Sequence, residues 1–398
     1  MSRLADVVIV GGGVTGLCTA ICLKQLGVKR VIILEKYYVG AGQSGRAAGI
    51  VRALVPHEKV ATWQLQAQVF FKDFYNRFGI PLQVNQFGYL LRSSFQNEDR
   101  VALAIDVANR IGSQAKRINV AEAADLQPGL RLDAESIYAF EPGAIQIDPM
   151  PATFALACAA RQLGVEIIED CAVGDILVEG SSICGVTSSI GRFEAPRLMI
   201  ASGAWGAQQL SKIGVNLPIY PHRAEMAFFH APLVGGETLC RIVSDGITQL
   251  YLRPEGRKQM FVGWREGDFV DNLSGIVREN PDDYKQIIAP ARLADMQHRL
   301  VSTLPYMKSG FIHRTYTCIY DYSQDGQPVL DEVDKLKGLF FALGFSGGGF
   351  SVAPCVGHAM AEYITTGLRP ASIKWLSLSR FSEGRSIQWS NSTREIKL

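Results

Sequence analysis

Asp6-Val7-Val8-Ile9-Val10-Gly11-Gly12-Gly13-Val14-Thr15-Gly16-Leu17 is the stretch whose reading decides the fold. Asp6 to Val10 is a short apolar run that stops at glycine, the pattern of a strand buried in a parallel sheet. Gly11, Gly13 and Gly16 occupy the G-x-G-x-x-G positions, Leu17 to Leu26 has helical spacing, and Gly27 closes that helix. Val31 to Leu34 is a second apolar run, ended by Glu35. Strand, turn, helix and strand within about 30 residues make a βαβ unit. The first glycine permits the tight turn, the second lets backbone approach a pyrophosphate, and the third lets helix and strand pack closely. Val14 and Thr15 open the helix, whose free N–H groups suit that anion. Glu35, with Lys36 beside it, stands where a carboxylate accepts hydrogen bonds from both ribose hydroxyls and repels a 2′-phosphate, which disfavours NADP.

Outward from this unit, Gly42-Gln43-Ser44-Gly45-Arg46-Ala47-Ala48-Gly49 is a second loop of small and hydroxyl-bearing residues. It suits a cofactor that extends past its pyrophosphate, so FAD fits better than NAD; Ser44 offers a hydroxyl and Arg46 a charge to phosphate oxygens. An ordinary glycine-rich loop is the alternative. Near the other end of the chain, Gly344-Phe345-Ser346-Gly347-Gly348-Gly349-Phe350 lies between the apolar run Leu339 to Leu343 and a predicted helix from Pro354 to Thr365. Three consecutive glycines permit a flat ring to approach the backbone. The helix dipole places partial positive charge where a reduced flavin carries negative charge.

The remaining chain predicts helices over 59–78, 97–111, 151–163 and 281–301. Strands are expected over 87–91, 165–168, 172–178, 198–201, 225–230, 250–253 and 259–264. The expected fold is α/β: a Rossmann-like FAD-binding domain of residues 1–53, 148–214 and 324–372. It is interleaved with an α+β substrate domain of 54–147 and 215–323 built on a mainly antiparallel sheet. Residues 373–398 read as a polar tail, weakly ordered or strapped to the surface. Hydrophobic residues make up 47% of the chain, so a substantial core is expected, and a net charge of +2 argues against a nucleic-acid partner. No apolar run is long enough to span a bilayer, and the first leads straight into a glycine turn instead of a signal cleavage site. The eight cysteines form no CxxC; disulfides, structural zinc and other metal sites are not expected, and a reducing cytoplasm fits best.

With both ends in view, the sequence resembles the D-amino-acid oxidase superfamily of FAD enzymes, on the sarcosine oxidase β-subunit and monomeric sarcosine oxidase-like branch. The resemblance is carried by Val7 to Gly16, Ser44 to Arg52, Ile200-Ala201-Ser202-Gly203-Ala204-Trp205, Asp325-Gly326-Gln327-Pro328 and Gly344 to Phe350. It implies oxidation of a small secondary or N-methyl amino acid, sarcosine-like or proline-like, to an imine by hydride transfer to flavin N5. To the cofactor-binding set it adds Val173, Ser202, Gly203, Trp205, Gly344, Ser346, Gly347, Gly348, Gly349 and Phe350. Cys318-Ile319-Tyr320 resembles the Cys-x-Tyr of monomeric sarcosine oxidases, which makes Cys318 a candidate flavin attachment site, a buried thiol being the alternative. Tyr320 stands where glycine oxidases carry a carboxylate-binding arginine. Phe261 takes the place of a lysine that activates oxygen, which favours a dehydrogenase over an oxidase. Ser351 takes the place of a carboxylate-binding lysine.

The catalytic candidates are therefore Arg52, Tyr320, Arg265 and Phe261, with Arg52 the preferred carboxylate holder because its place is tied to the flavin loop. No histidine or carboxylate pair stands beside the motifs, which suits hydride removal from an already neutral amine. The expected partners are a small amine or amino acid and an electron acceptor, either O2 or a carrier protein, with homo- or hetero-oligomers open. Two other readings stay open: a flavoprotein electron-transfer subunit of a multi-subunit amine dehydrogenase, and an oxidase of a hydroxyacid or glycerol phosphate.

Overall fold

The computed structural model describes residues 2–232, 238–264 and 280–387. The opening βαβ unit forms as its residues require. Val7–Val10 and Val31–Leu34 are strands with every residue buried, and Val14–Gln25 is the helix between them. They lie in a six-stranded sheet whose order is Glu166–Ile168, Val31–Leu34, Val7–Val10, Leu198–Ile200, Leu339–Leu343 and Val329–Glu332. All pairs are parallel except the last. Strands from the start, middle and end of the chain thus meet in one layer. Val7, Ile9 and Met199 face one apolar core and Val8, Leu198 and Ile200 the other, the signature of a sheet covered on both faces.

Two helices bring the distant glycine turns together. Val14–Gln25 follows the first turn, and Gly349–Thr366 follows the last. They pack directly because Gly357 has no side chain; a Cβ there would lie 2.6 Å from the Cys18 carbonyl carbon. The second helix begins at Gly349 and carries Pro354 inside it, earlier than the expected start at Pro354. The glycine turn itself supplies the first helical turn.

The second large sheet has eight strands: Phe311–Ser323, Ile219–His230, Gln259–Trp264, Leu250–Glu255, Ile242–Asp245, Tyr89–Ser94, Ser136–Glu141 and Lys116–Ile118. Only Ile242–Asp245 with Tyr89–Ser94 is parallel. The architecture is α/β with this mainly antiparallel sheet beside the nucleotide-type sheet. The thirteen-residue strand Phe311–Ser323 has no counterpart in the sequence reading. Its first half is largely exposed, so no clean apolar alternation marks it, and long pairing with Ile219–His230 fixes it instead. The helix expected over 281–301 occupies Pro290–Thr303. Pro290 at its first turn sets the start, and 280–289 run as a non-helical strap. Of the tail, residues 373–387 are described, and they are packed more tightly than a loose polar end. Ile373, Leu376 and Arg380 are fully buried, and Arg380 forms a bidentate pair with Asp325, at 2.8 and 2.9 Å. No helix of the described residues is long and apolar enough to cross a membrane.

Candidate active site

A cleft of about 350 Å3 runs along the carboxyl ends of the parallel strands, where ligands bind in open α/β sheets. Gly11, Gly13, Val14 and Thr15 line its first part. Gly11 has φ +111°, and a Cβ there would sit 2.5 Å from the Ala201 carbonyl oxygen, so only glycine closes this turn. Gly16 is not on the wall; it lets the helix pack on the turn, since a Cβ would meet the Gly11 oxygen at 2.2 Å. The Ser44 hydroxyl accepts from the Val14 N–H at 3.0 Å, tying the second loop to the helix start. Glu35 accepts from the Gly12 N–H at 2.7 Å and the Tyr37 N–H at 3.0 Å. Burial raises its pKa, and those N–H groups partly offset the rise.

Beyond Glu35 the wall carries Lys36, Val173, Ser202, Gly203 and Trp205. Asp282, from the 280–289 strap, reaches across. It pairs with the Lys36 ammonium and accepts from the Trp205 indole N–H at 2.8 Å. The Lys36 ammonium lies 5.7 Å from the Trp205 ring centre. Neighbouring Lys285 and Ile287 carbonyls accept from Arg223, and the Lys285 carbonyl accepts from the Thr317 hydroxyl. The strap is thus fixed to both sheets.

The other end of the cleft is the second glycine turn, where Phe345, Gly347, Gly349 and Phe350 line the wall. Gly348 caps the helix with no side-chain cap, which leaves the first-turn N–H groups to a ligand. Gly344, Gly347 and the non-glycine Ser346 have positive φ. The Ser346 hydroxyl accepts from the Ser323 N–H at 3.1 Å and so holds the turn. Asp321, which the sequence reading missed, is fully buried and lines this part. Its Oδ2 accepts from the Gly344 N–H at 2.7 Å, while its Oδ1 has no hydrogen-bond partner. Burial pushes its pKa to about 6 despite the pull of neighbouring N–H groups. Gln43 stands near enough to favour the ionised form, yet its amide nitrogen is also buried without a partner.

Two smaller cavities adjoin this end. The inner one, about 50 Å3, is walled by Ala48, Gly49, Tyr251, Trp264, Tyr320, Tyr322 and Glu225, with Ser351 at its edge. Tyr320 and Gly347 line both it and the main cleft. Burial, and then the neighbouring Cys318, raise the Tyr320 pKa well above the usual phenol value, so it stays protonated at neutral pH. The second, about 90 Å3, is lined by Arg52, Gln64, Gln327, Tyr322, Ser346 and Gly348 among others.

Several expected residues stand elsewhere. Phe261 is fully buried between Phe228 and Tyr251, under the Arg253 guanidinium, and lines none of these cavities. Strand alternation turns it into the core. Cys318 is 1% exposed in the same core and does not line the cleft, so the geometry does not present its thiol to a cofactor. The Arg46 guanidinium is spent on the Ala41 and Gly42 carbonyls of its own loop. Arg265 lies outside the described residues.

The chemistry of the walls fits FAD: a glycine turn opening a helix stands at each end, the carboxylate of Glu35 lies beside the first, and the buried Asp321 lies beside the second, with the buried Gln43 amide in the wall. No group of three or more metal-ligating side chains occurs among the described residues.

Comparisons agree. The family model described as FAD dependent oxidoreductase (DAO) matches residues 6–363. A 4-methylaminobutanoate oxidase (formaldehyde-forming) of Paenarthrobacter nicotinovorans is 26% identical over 94% of this chain, and the match spans only 45% of that relative's length. A sarcosine oxidase subunit beta of Rhodobacter capsulatus is 24% identical over 96% of this chain and 90% of that one. The crystal structure of L-proline dehydrogenase from P. horikoshii superposes with a TM-score of 0.86 at 24% identity, covering 97% of this chain and 100% of that one, a likeness of fold.

Proposed function

Since this chain belongs to the DAO family of FAD-dependent oxidoreductases, whose relatives act on amines and amino acids, we propose that it oxidises a small secondary or N-methyl amino acid to an imine. The carrying observation is the inner cavity, which shares Tyr320 and Gly347 with the glycine-turn end of the cleft. FAD, when bound, supplies the acceptor for a hydride from the carbon beside the amine nitrogen, and the imine formed is then hydrolysed by water. The glycine turns at Gly11–Gly16 and Gly344–Gly349 hold its two ends through backbone N–H groups, and Glu35 holds its ribose.

The protein's part is binding and orientation. Tyr251, Trp264, Tyr320 and Tyr322 give the cavity apolar, hydroxyl-tipped walls that orient the amine, and the Glu225 carboxylate in the same wall is held by Arg223 and Arg292. The protonated Tyr320 hydroxyl donates to substrate or accepts the amine N–H. Arg52 is the carboxylate holder. Among the described residues, no lysine or arginine lines the inner cavity, which supports a dehydrogenase passing electrons to a carrier over a fast oxidase.

The test is anaerobic mixing of the FAD-loaded protein with N-methyl amino acids, proline and other secondary amines. Bleaching of the flavin band by at least one of them is expected. A flavin that stays oxidised across the whole panel overturns the proposal.

A further inference from the structure

Segment 370–387 docks on the turn from Ser323 to Gln327, and Arg380 is the residue that docks it. Every guanidinium nitrogen of Arg380 donates. Nε and Nη2 reach the two Asp325 oxygens, Nη2 also reaches the Gln327 carbonyl at 2.9 Å, and Nη1 reaches the Leu376 and Ser377 carbonyls at 2.9 and 3.2 Å. Asp325 also accepts from the Gln327 N–H at 3.2 Å and the Ile387 N–H at 3.1 Å. Burial works to raise the Asp325 pKa, but the bonds and charge of Arg380 hold it below the usual carboxylate range. A second clasp lies nearby: Asp331 pairs with Arg369 and accepts from the Leu378 N–H at 2.8 Å.

The turn from Ser323 to Gln327 also holds the second glycine turn. The Ser323 hydroxyl donates to the Gln327 carbonyl at 2.7 Å, and its N–H donates to the Ser346 hydroxyl at 3.1 Å. Ser346 has φ +50°, a costly conformation for a residue other than glycine, which persists only where the surroundings over-determine it. The Ser323 N–H does so from one side. From the other, the Asp321 carbonyl accepts the Ser346 N–H at 3.0 Å. A bonded path therefore runs from Arg380 through Asp325, Gln327 and Ser323 to Ser346. A buried ion pair often adds little stability over apolar residues of similar volume; what a bidentate pair adds is fixed geometry.

We infer that Arg380 is a positioning residue for the FAD site, and that docking of segment 370–387 and binding of FAD are coupled through Ser346. The inference rests on FAD binding in the cleft and is independent of the substrate proposed above. Arg380 fixes the turn that fixes Ser346, and so keeps the glycine turn in the shape that receives the cofactor. Coupling of this kind is reciprocal, so FAD in the cleft also holds the segment down.

The experiment follows hydrogen exchange by mass spectrometry in the full chain, FAD-stripped and FAD-saturated. The parent, Arg380→Met, Arg380→Lys and Ser346→Ala are compared, with FAD titrations, flavin spectra and melting temperatures alongside. In the parent, FAD is expected to slow exchange in 370–387 about tenfold more than in the helix Glu98–Arg110, which lines none of the three cavities. Arg380→Met should weaken FAD binding about tenfold and shift the flavin band of the saturated protein, and Arg380→Lys should recover part of the affinity. Ser346→Ala keeps the Arg380–Asp325 pair, yet in it FAD should no longer protect 370–387. Equal slowing of the segment and the helix in the parent overturns the inference, and so does undiminished protection in Ser346→Ala. An Arg380→Met protein that melts lower but keeps the parental FAD affinity and spectrum overturns it as well, since Arg380 then only stabilises the fold. Should Arg380→Met not fold, the exchange of the parent and of Ser346→Ala decides.

Discussion

Replacing Asp321 by Asn should move two properties in opposite directions. In the cofactor-free protein the Asp321 pKa rises from 3.8 to about 6 because the group is buried. Between those values the folded protein holds a proton that the unfolded chain has lost, so this group's contribution to stability falls as pH rises through the window. The gap corresponds to about 3 kcal/mol of destabilisation at neutral pH. An amide removes that cost and keeps an oxygen for the Gly344 N–H, which Asp321 now accepts at 2.7 Å. Asp321→Asn should therefore stabilise the cofactor-free protein by about 1–3 kcal/mol at pH 7.5, a rise of a few degrees in melting temperature, and by much less at pH 5. FAD binding should weaken, because Asp321 lines the cleft with its Oδ1 lacking a hydrogen-bond partner, and a carboxylate accepts a ligand hydroxyl more strongly than an amide does. A loss of about 1–1.5 kcal/mol is about tenfold in Kd. The groups facing this carboxylate are the Gly344 and Phe345 N–H groups and the Gln43 amide. In the parent protein a ligand donor lowers the pKa further, so FAD affinity should be steady above pH 7 and decline below about pH 6; in the variant it should be flat. Urea or thermal melts of stripped protein at two pH values, with FAD titrations followed by fluorescence, measure both. A variant that is less stable when cofactor-free and binds FAD with unchanged affinity and pH profile would refute the reasoning.

Glu35→Gln should weaken FAD binding about tenfold by giving up the charged ribose acceptor, with little effect on the turnover of protein saturated with FAD; equal affinity in the titration would remove Glu35 from the site. Gly347→Ala places a methyl 3.2 Å from the Tyr320 ring at φ +86°, a strain of about 1–2 kcal/mol, and should disturb the flavin spectrum and slow bleaching. An unchanged spectrum and rate would show that this turn is not at the reacting end. Asp282→Ala breaks the clasp with Lys36 and Trp205 and should speed FAD release several-fold in stopped-flow displacement. Because the Lys36–Asp282 pair is partly exposed, added salt should speed release from the parent protein toward the variant's rate, and a salt-independent parent rate counts against the clasp.

Both glycine turns, the acid Glu35 at the strand end and the α/β class were legible in the chain itself. Each is written in backbone chemistry confined to a few neighbours: a positive φ at Gly11, a run of glycines before a helix, an acid at a strand end. The order of strand, turn, helix and strand needs no knowledge of distant contacts. Helix limits were close for the same reason, and failed where a proline sets the start, at Pro290, or where a glycine turn is itself helical, at Gly349.

Side-chain placement on the antiparallel sheet was decided only by the tertiary structure. Phe261 and Cys318 carry the chemistry expected of an active site, yet pairing across Ile219–His230 turns them into the core. Asp321 and Asp282 carry no motif and reach the cleft because strand register and a strap deliver them there. Arg52 was singled out by its loop, but that its guanidinium is buried with no ion pair among the described residues depends on which carboxylates the folded chain keeps away from it. Local backbone preferences are encoded over a handful of residues. The face a strand presents, and the partner a buried charge lacks, belong to contacts between segments hundreds of positions apart.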